Sequence, residues 1–193
     1  MTNELHTHLT NAAGEAARVA HAVRAEQLGG PTPCGEYDVR ALANHLVLWT
    51  SHSFAARARG ESVPDELQQC DFTAGPGWAD AYRARLDAAL AAWADPAVWD
   101  RELDMGGTPM PASAIATMIL LELALHGWDL ARAAGDDYAL PEATAQAVLA
   151  ATEEYAEMYR QYKGFAEPVP AAPGAGPFSR ALALSGRDPE WRA

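Results

Sequence analysis

The stretch Met118-Ile119-Leu120-Leu121-Glu122-Leu123-Ala124-Leu125-His126-Gly127-Trp128-Asp129 decides the fold. It is apolar on nearly every side, the mark of a helix buried all round rather than one lying on a surface. A carboxylate sits in its middle, and an imidazole follows four residues later. Positions four apart share a helix face, so Glu122 and His126 are expected to point the same way. A lone carboxylate in such surroundings costs several kcal/mol (of order 2–7 even for an uncharged polar group) or stays protonated, so a cationic partner is expected at Glu122.

Outward from this stretch, the pattern predicts a helix over residues 112–134, ended by Gly135. Upstream, Leu5, Leu9, Ala12, Ala16, Val19 and Val23 form one stripe of a first helix over residues 4–28, stopped by Gly29-Gly30-Pro31. A second helix is capped by Asp38 and runs to about Arg59, with Val39, Leu42, His45, Leu46 and Trp49 on its stripe and His52 continuing the line. A third spans residues 78–94 and is closed by Pro96. Residues 99–111 read as extended, a short hairpin or irregular crossover with Met105-Gly106-Gly107-Thr108 as its turn. A fifth helix runs from Pro141 to Tyr162, and the Pro-, Ala- and Gly-rich tail from Gly164 reads as irregular. No repeat or linker divides the 193 residues, so one all-α domain over residues 1–193 is expected, a helical bundle with an extra helix or irregular C-terminal tail.

Composition narrows the function classes. A formal net charge of −12 argues against a nucleic-acid partner and against an anionic membrane surface. The apolar run within residues 114–125 is too short to span a bilayer and contains Glu122. Two cysteines, Cys34 and Cys70, without CxxC spacing, suit a reduced cytoplasmic setting, and the N-terminus carries no secretory pattern. Small molecules are the remaining class of partner. Monomer and homodimer are both compatible with the sequence.

The histidines differ in setting. His6, His8 and His21 lie among small or polar neighbours and read as surface residues, whereas His45 and His52 fall on an apolar stripe. Glu122 and His126 make half of a His2Glu divalent-metal site, the set that leaves a coordination position open in catalytic zinc centres. His45, mid-stripe on a helix that must share the core, is the candidate third ligand, with His52 in reserve. The same spacing also suits an intrahelical ion pair, or a carboxylate bonded to Arg132 or a core tyrosine, and alone it leaves these open. Trp49 and His52 are candidate substrate-contacting residues, and Trp49 also suits plain core packing. Asp129 reads either as a group orienting His126 through its other nitrogen or as a partner of Arg132. Cys34 reads as a buried structural thiol, and Tyr155, Tyr159 and Tyr162 as cover for the core edge. There is no Gly-x-Ser-x-Gly elbow, phosphate-binding glycine loop or His-Glu-x-x-His.

Two segments carry a family resemblance. Thr32-Pro33-Cys34-Gly35-Glu36-Tyr37-Asp38-Val39-Arg40-Ala41-Leu42-Ala43-Asn44-His45-Leu46-Val47 and Glu122-Leu123-Ala124-Leu125-His126-Gly127-Trp128-Asp129-Leu130-Ala131 resemble the two signatures of the mycothiol-dependent maleylpyruvate isomerase N-terminal domains, within the DinB/YfiT-like metalloprotein superfamily. Gly186-Arg187-Asp188-Pro189 is similar to the ending of its short actinobacterial members. The resemblance implies a DinB-like four-helix bundle with up-down-down-up-like connections. It also implies a divalent metal, usually zinc and sometimes nickel or another, held by His45, Glu122 and His126. Its chemistry would be activation of a low-molecular-weight thiol such as mycothiol, or of water, against a small electrophile, as in thiol S-transferases and isomerases. A hydrolase or a non-catalytic metal- or ligand-binding bundle remains an alternative. Tyr37 stands where the signature often has Trp, and no counterpart of the isomerase's separate C-terminal domain follows, so isomerisation of maleylpyruvate itself is not implied.

Overall fold

The computed structural model describes residues 2–104 and 107–193. Helix α1 spans Thr2–Ala22, and α2 covers residues 39–59. Within α2, a π-helical stretch, Val47–Ser53, is set between the α-helical pieces Val39–Leu46 and Phe54–Arg59. Helix α3 is Trp78–Trp93, and the short α4, Pro96–Trp99, leads into the hairpin of β1, Glu102–Asp104, and β2, Pro109–Pro111. Helix α5, Ala112–Ala134, carries a second π-helical stretch at Glu122–His126. Helices α6, Glu142–Gln161, and α7, Pro177–Leu184, complete the described elements.

The ring of neighbours in the bundle runs α1–α3–α2–α5 and back to α1, so α1 and α2 face each other diagonally. Helix α6 packs on α5 and α1 and carries α7 on its flank. The result is a mainly helical chain with one small two-stranded sheet, in keeping with the DinB-like class read from the sequence. Helix α5 is long and apolar enough to cross a membrane, yet 78% of its apolar window is buried inside the bundle. Burial of this kind explains its composition without a bilayer.

Local chemistry fixes most helix ends. The Asp38 carboxylate accepts from the Ala41 N–H at 2.8 Å and caps α2 as its position suggested. Gly60 and Gly135 close α2 and α5 in the left-handed conformation. Other boundaries moved. Helix α1 ends at Ala22, and a separate 3₁₀ turn, Ala25–Gln27, takes up the rest of the expected first helix. Pro96 opens α4 under an Asp95 cap instead of merely closing α3. The tail contains a regular helix, α7, begun by Pro177 and burying Ala181, Leu182 and Ala183. The hairpin is present, but Met105 and Gly106 of its expected turn lie outside the described residues.

His6 and His8 are half-buried rather than free surface residues. His6 Nε2 lies 2.9 Å from the Leu90 carbonyl, and His8 Nδ1 lies 3.1 Å from Thr144 Oγ1, tying α1 to α3 and α6. His21 is exposed and pairs with Asp80 at 2.9 Å.

Candidate metal centre

Two helices and the C-terminal tail build the site. Helix α2 supplies His45 and α5 supplies Glu122 and His126, and the donor atoms of the three all lie within 4.8 Å of one another. Glu122 Oε2 sits 2.7 Å from His45 Nε2 and 3.6 Å from His126 Nε2. Both imidazoles thus turn their Nε2 atoms on one carboxylate oxygen. The spacing Glu-x-x-x-His survives the π-helical stretch, and π-helical turns of this kind concentrate at functional sites. Burial alone would raise the Glu122 carboxyl. The hydrogen bond with His45 and the charges of His126, His45 and Arg187 outweigh it and hold the carboxyl below the usual range.

Behind His126 stands a second carboxylate. Asp129 Oδ2 lies 2.9 Å from His126 Nδ1, which fixes the ring with Nε2 directed at Glu122. Its cation is Arg187 from the tail, not Arg132. Arg187 donates from Nε to Oδ1 at 2.9 Å and from Nη2 to Oδ2 at 2.7 Å, and from Nη1 to Ser185 Oγ at 3.1 Å. Arg132 instead donates to the Trp191 carbonyl. Asp129 is wholly buried and Arg187 nearly so, and the bidentate pairing gives the geometry that such burial demands. Burial pushes Asp129 up, but Arg187 and His126 more than compensate and keep its carboxyl low.

Two glycines make room for these contacts. A Cβ on Gly127 would meet the Tyr138 ring at 2.7 Å, and Tyr138 uses that space to donate its hydroxyl to the Leu123 carbonyl inside the π-helical stretch. Gly186 has φ 83°, and a Cβ there would lie 2.6 Å from Ala166. A side chain at 186 would therefore push away the turn that delivers Arg187.

Two chambers open on the trio. The first, about 390 Å³, is the more polar of the two and is walled by Cys34, Tyr37, Arg160, Lys163 and Arg187 beside His45, Glu122 and His126. The second, about 580 Å³, is largely apolar and is walled by Trp49, Met110, Ile115, Met118 and Ile119, with Arg57 at one side. His45, Glu122 and Tyr159 belong to both. Trp49 therefore walls a cavity at the site, with the Arg57 guanidinium 5.9 Å from its ring centre.

His52 is not brought there. A π-helical stretch turns less per residue than an α-helix, so seven residues no longer return His52 to the face of His45. Its ring stacks on Phe72 at 5.1 Å and its Nε2 is buried with no hydrogen-bond partner among the described residues; burial, with the Arg85 charge, holds the imidazole below its ordinary pKa. Cys34 is half-buried and lines the polar chamber, where burial pushes its thiol up and away from the reactive thiolate form. Tyr37, read from the sequence only as a departure from a signature, places its hydroxyl 3.4 Å from His45 Nδ1. Tyr159, read as edge cover, walls both chambers and stacks on Phe165 at 4.5 Å.

The model of the mycothiol maleylpyruvate isomerase N-terminal domain matches residues 9–131, which include all three members of the trio. The chain belongs to this family. Within the mycothiol maleylpyruvate isomerase N-terminal domain family, the chain is similar to two uncharacterized proteins of Mycobacterium tuberculosis, from strain CDC 1551 / Oshkosh and strain ATCC 25618 / H37Rv. Each is 28% identical over 174 residues, covering 86% of this chain and 87% of theirs. Among solved structures it resembles the mycothiol-dependent maleylpyruvate isomerase, with a TM-score of 0.53 at 18% identity. A mutant of that isomerase gives 0.56 at 17%. Each alignment covers 79% of this chain and 69% of the isomerase, and at this identity the likeness establishes the fold.

Proposed function

We propose that the chain is a cytoplasmic, single-domain, metal-dependent enzyme of the mycothiol-dependent isomerase and S-transferase type, with His45, Glu122 and His126 as the ligands. The observation that carries this reading is the convergence of two imidazole Nε2 atoms on one Glu122 oxygen, from two helices, between two chambers. The donor set suits zinc or nickel, since two neutral imidazoles and one carboxylate leave a net positive charge and an open position. A divalent ion there would lower the pKa of a thiol or water placed beside it.

The remaining roles belong to this chain's residues. Asp129 holds His126 in the tautomer whose Nε2 lone pair faces the site, and Arg187 holds Asp129. Tyr37 lies against His45 Nδ1 and orients that ring from the other side. Trp49 and the methionines of the apolar chamber would exclude water from an electrophile. Mycothiol is the thiol the family suggests.

The test is elemental analysis of purified protein, followed by incubation with mycothiol and a bimane or chlorodinitroarene electrophile, with and without chelator. One equivalent of divalent metal and chelator-sensitive loss of thiol are expected. A metal-free protein that conjugates nothing would overturn the reading. Chelator-sensitive hydrolysis of an ester, with no use of thiol, would reassign the chemistry to water.

A further inference from the structure

We propose that Tyr159 is a catalytic residue, whose phenol donates a hydrogen bond to the oxygen of the electrophile that takes up charge as the thiol sulfur attacks. The proposal rests on the reading of His45, Glu122 and His126 as the reaction centre. It adds to that centre a group from α6, which lies outside the matched residues 9–131.

Placement is the first support. Among the described residues, three wall both chambers: His45, Glu122 and Tyr159. Two of them are members of the trio. The third carries a hydroxyl, and a molecule lying across the boundary must pass it. Buried tyrosines ordinarily give that hydroxyl a partner. Tyr37 lies against His45 Nδ1, Tyr82 pairs with Thr50 Oγ1 at 2.7 Å, and Tyr138 donates to the Leu123 carbonyl at 2.9 Å. No described residue takes the hydroxyl of Tyr159. Burial, with the nearby charge of Glu122, pushes this phenol above its ordinary pKa and keeps it a donor.

Packing is the second support. Phe165 stacks on the Tyr159 ring with the centroids 4.5 Å apart and the planes at 19°. A Cβ on Gly164 would lie 2.8 Å from the ring's Cδ1, and the Gly164 N–H bonds the carbonyl of Tyr159 itself at 2.8 Å. One face and one edge are thus held by the turn, which leaves the opposite face and the hydroxyl end to the chambers. Lys163, opening that turn, has φ 61° and is the one non-glycine residue at positive φ among those described. Strain of this kind accumulates at functional sites. A pinned ring offers a preorganised donor, the form in which a single hydrogen bond most favours a developing charge.

With chlorodinitrobenzene as the electrophile, the electron pair of the sulfur forms the bond to the ring carbon bearing chlorine, and a ring pair moves onto a nitro oxygen. That pair returns as the carbon–chlorine bond breaks, chloride leaves, and the thiol proton passes to solvent. The phenol keeps its own proton and donates to the nitro oxygen while the pair resides there.

Tyr159→Phe in the full chain tests this, because it removes the hydroxyl and keeps the ring. One readout is the absorption band of bound 4-(dimethylamino)cinnamaldehyde, which moves to longer wavelength when its carbonyl oxygen accepts a hydrogen bond. The other is the rate of mycothiol conjugation to chlorodinitrobenzene. The variant should bind the dye about fivefold more weakly with a smaller band shift, and conjugate about 100-fold more slowly. Its metal content, melting temperature and KM for mycothiol should match the wild type. Tyr155→Phe, one turn earlier on α6, should change neither readout. An unchanged band and rate in Tyr159→Phe, or a dye band that the wild type itself leaves unmoved, would overturn the proposal. So would a loss of rate that comes with an upward shift of the pH limb for mycothiol ionisation, since that would place the hydroxyl on the sulfur. A wild type that conjugates nothing, yet shifts the dye only while Tyr159 is present, would fail the transferase reading and leave the donor in place.

Discussion

Glu122 and Asp129 are two carboxylates seven residues apart on the same helix, and they are treated in opposite ways. Asp129 has no exposed side-chain surface and is closed by a bidentate guanidinium. Glu122 keeps about a fifth of its side chain exposed, and its close partners are two imidazoles, groups that can be neutral. A buried carboxylate met by arginine is finished as a structural element, because the arginine cannot release its proton. A carboxylate met only by histidines is one proton exchange away from hosting a dication. The first positions, and the second remains chemically open.

This contrast can be broken at either end. The largest effect is expected from Glu122→Gln or His45→Ala, which should bring metal content from about one equivalent to near zero, read by elemental analysis. Retention of metal by either variant would show that another set of groups holds it. Next, Arg187→Ala should destabilise the fold by about 3–5 kcal/mol in chemical denaturation, because it strands a buried carboxylate.

Asp129→Asn should weaken metal binding about 10–100-fold by releasing the His126 ring. It should also carry a pH signature. Because the folded carboxyl of Asp129 is depressed, its stabilisation is present above the unfolded pKa of about 4 and is lost as pH falls through the folded value. The stability gap between the wild type and Asp129→Asn should therefore be full at pH 7 and shrink below pH 4. A gap independent of pH would mean that Asp129 acts through shape alone. The smallest effect is expected from His52→Leu, which should leave metal content unchanged and stability within about 1 kcal/mol, since it removes a buried nitrogen that already lacks a partner.

The trio was legible because its signals are local. Glu122 and His126 share a helix that has no other reason to hold a charge, and His45 interrupts an apolar stripe. The Asp38 cap and the glycine stops were legible for the same reason. His52 misled because the stripe was extended at a constant α-helical pitch, and nothing in Val47–Ser53 announces a π-helical stretch. Its Thr50 hydroxyl, which bonds both the Leu46 carbonyl and Tyr82, is visible only once α3 is in place. Arg132 was the nearer cation to Asp129 in sequence, and only the fold reveals that the tail arrives with Arg187.

The partner of Asp129 is encoded 58 positions downstream. A ribosome therefore releases α1, α2 and α5, with all three candidate ligands, well before the residue that braces Asp129 and, through it, His126. Until that last stretch emerges and docks, the nascent bundle holds an unneutralised acid at its centre and a loosely aimed imidazole. On the proposed reading, uptake of an ion at the trio would then be tied to completion of the chain, and a product stalled before residue 187 would hold it poorly.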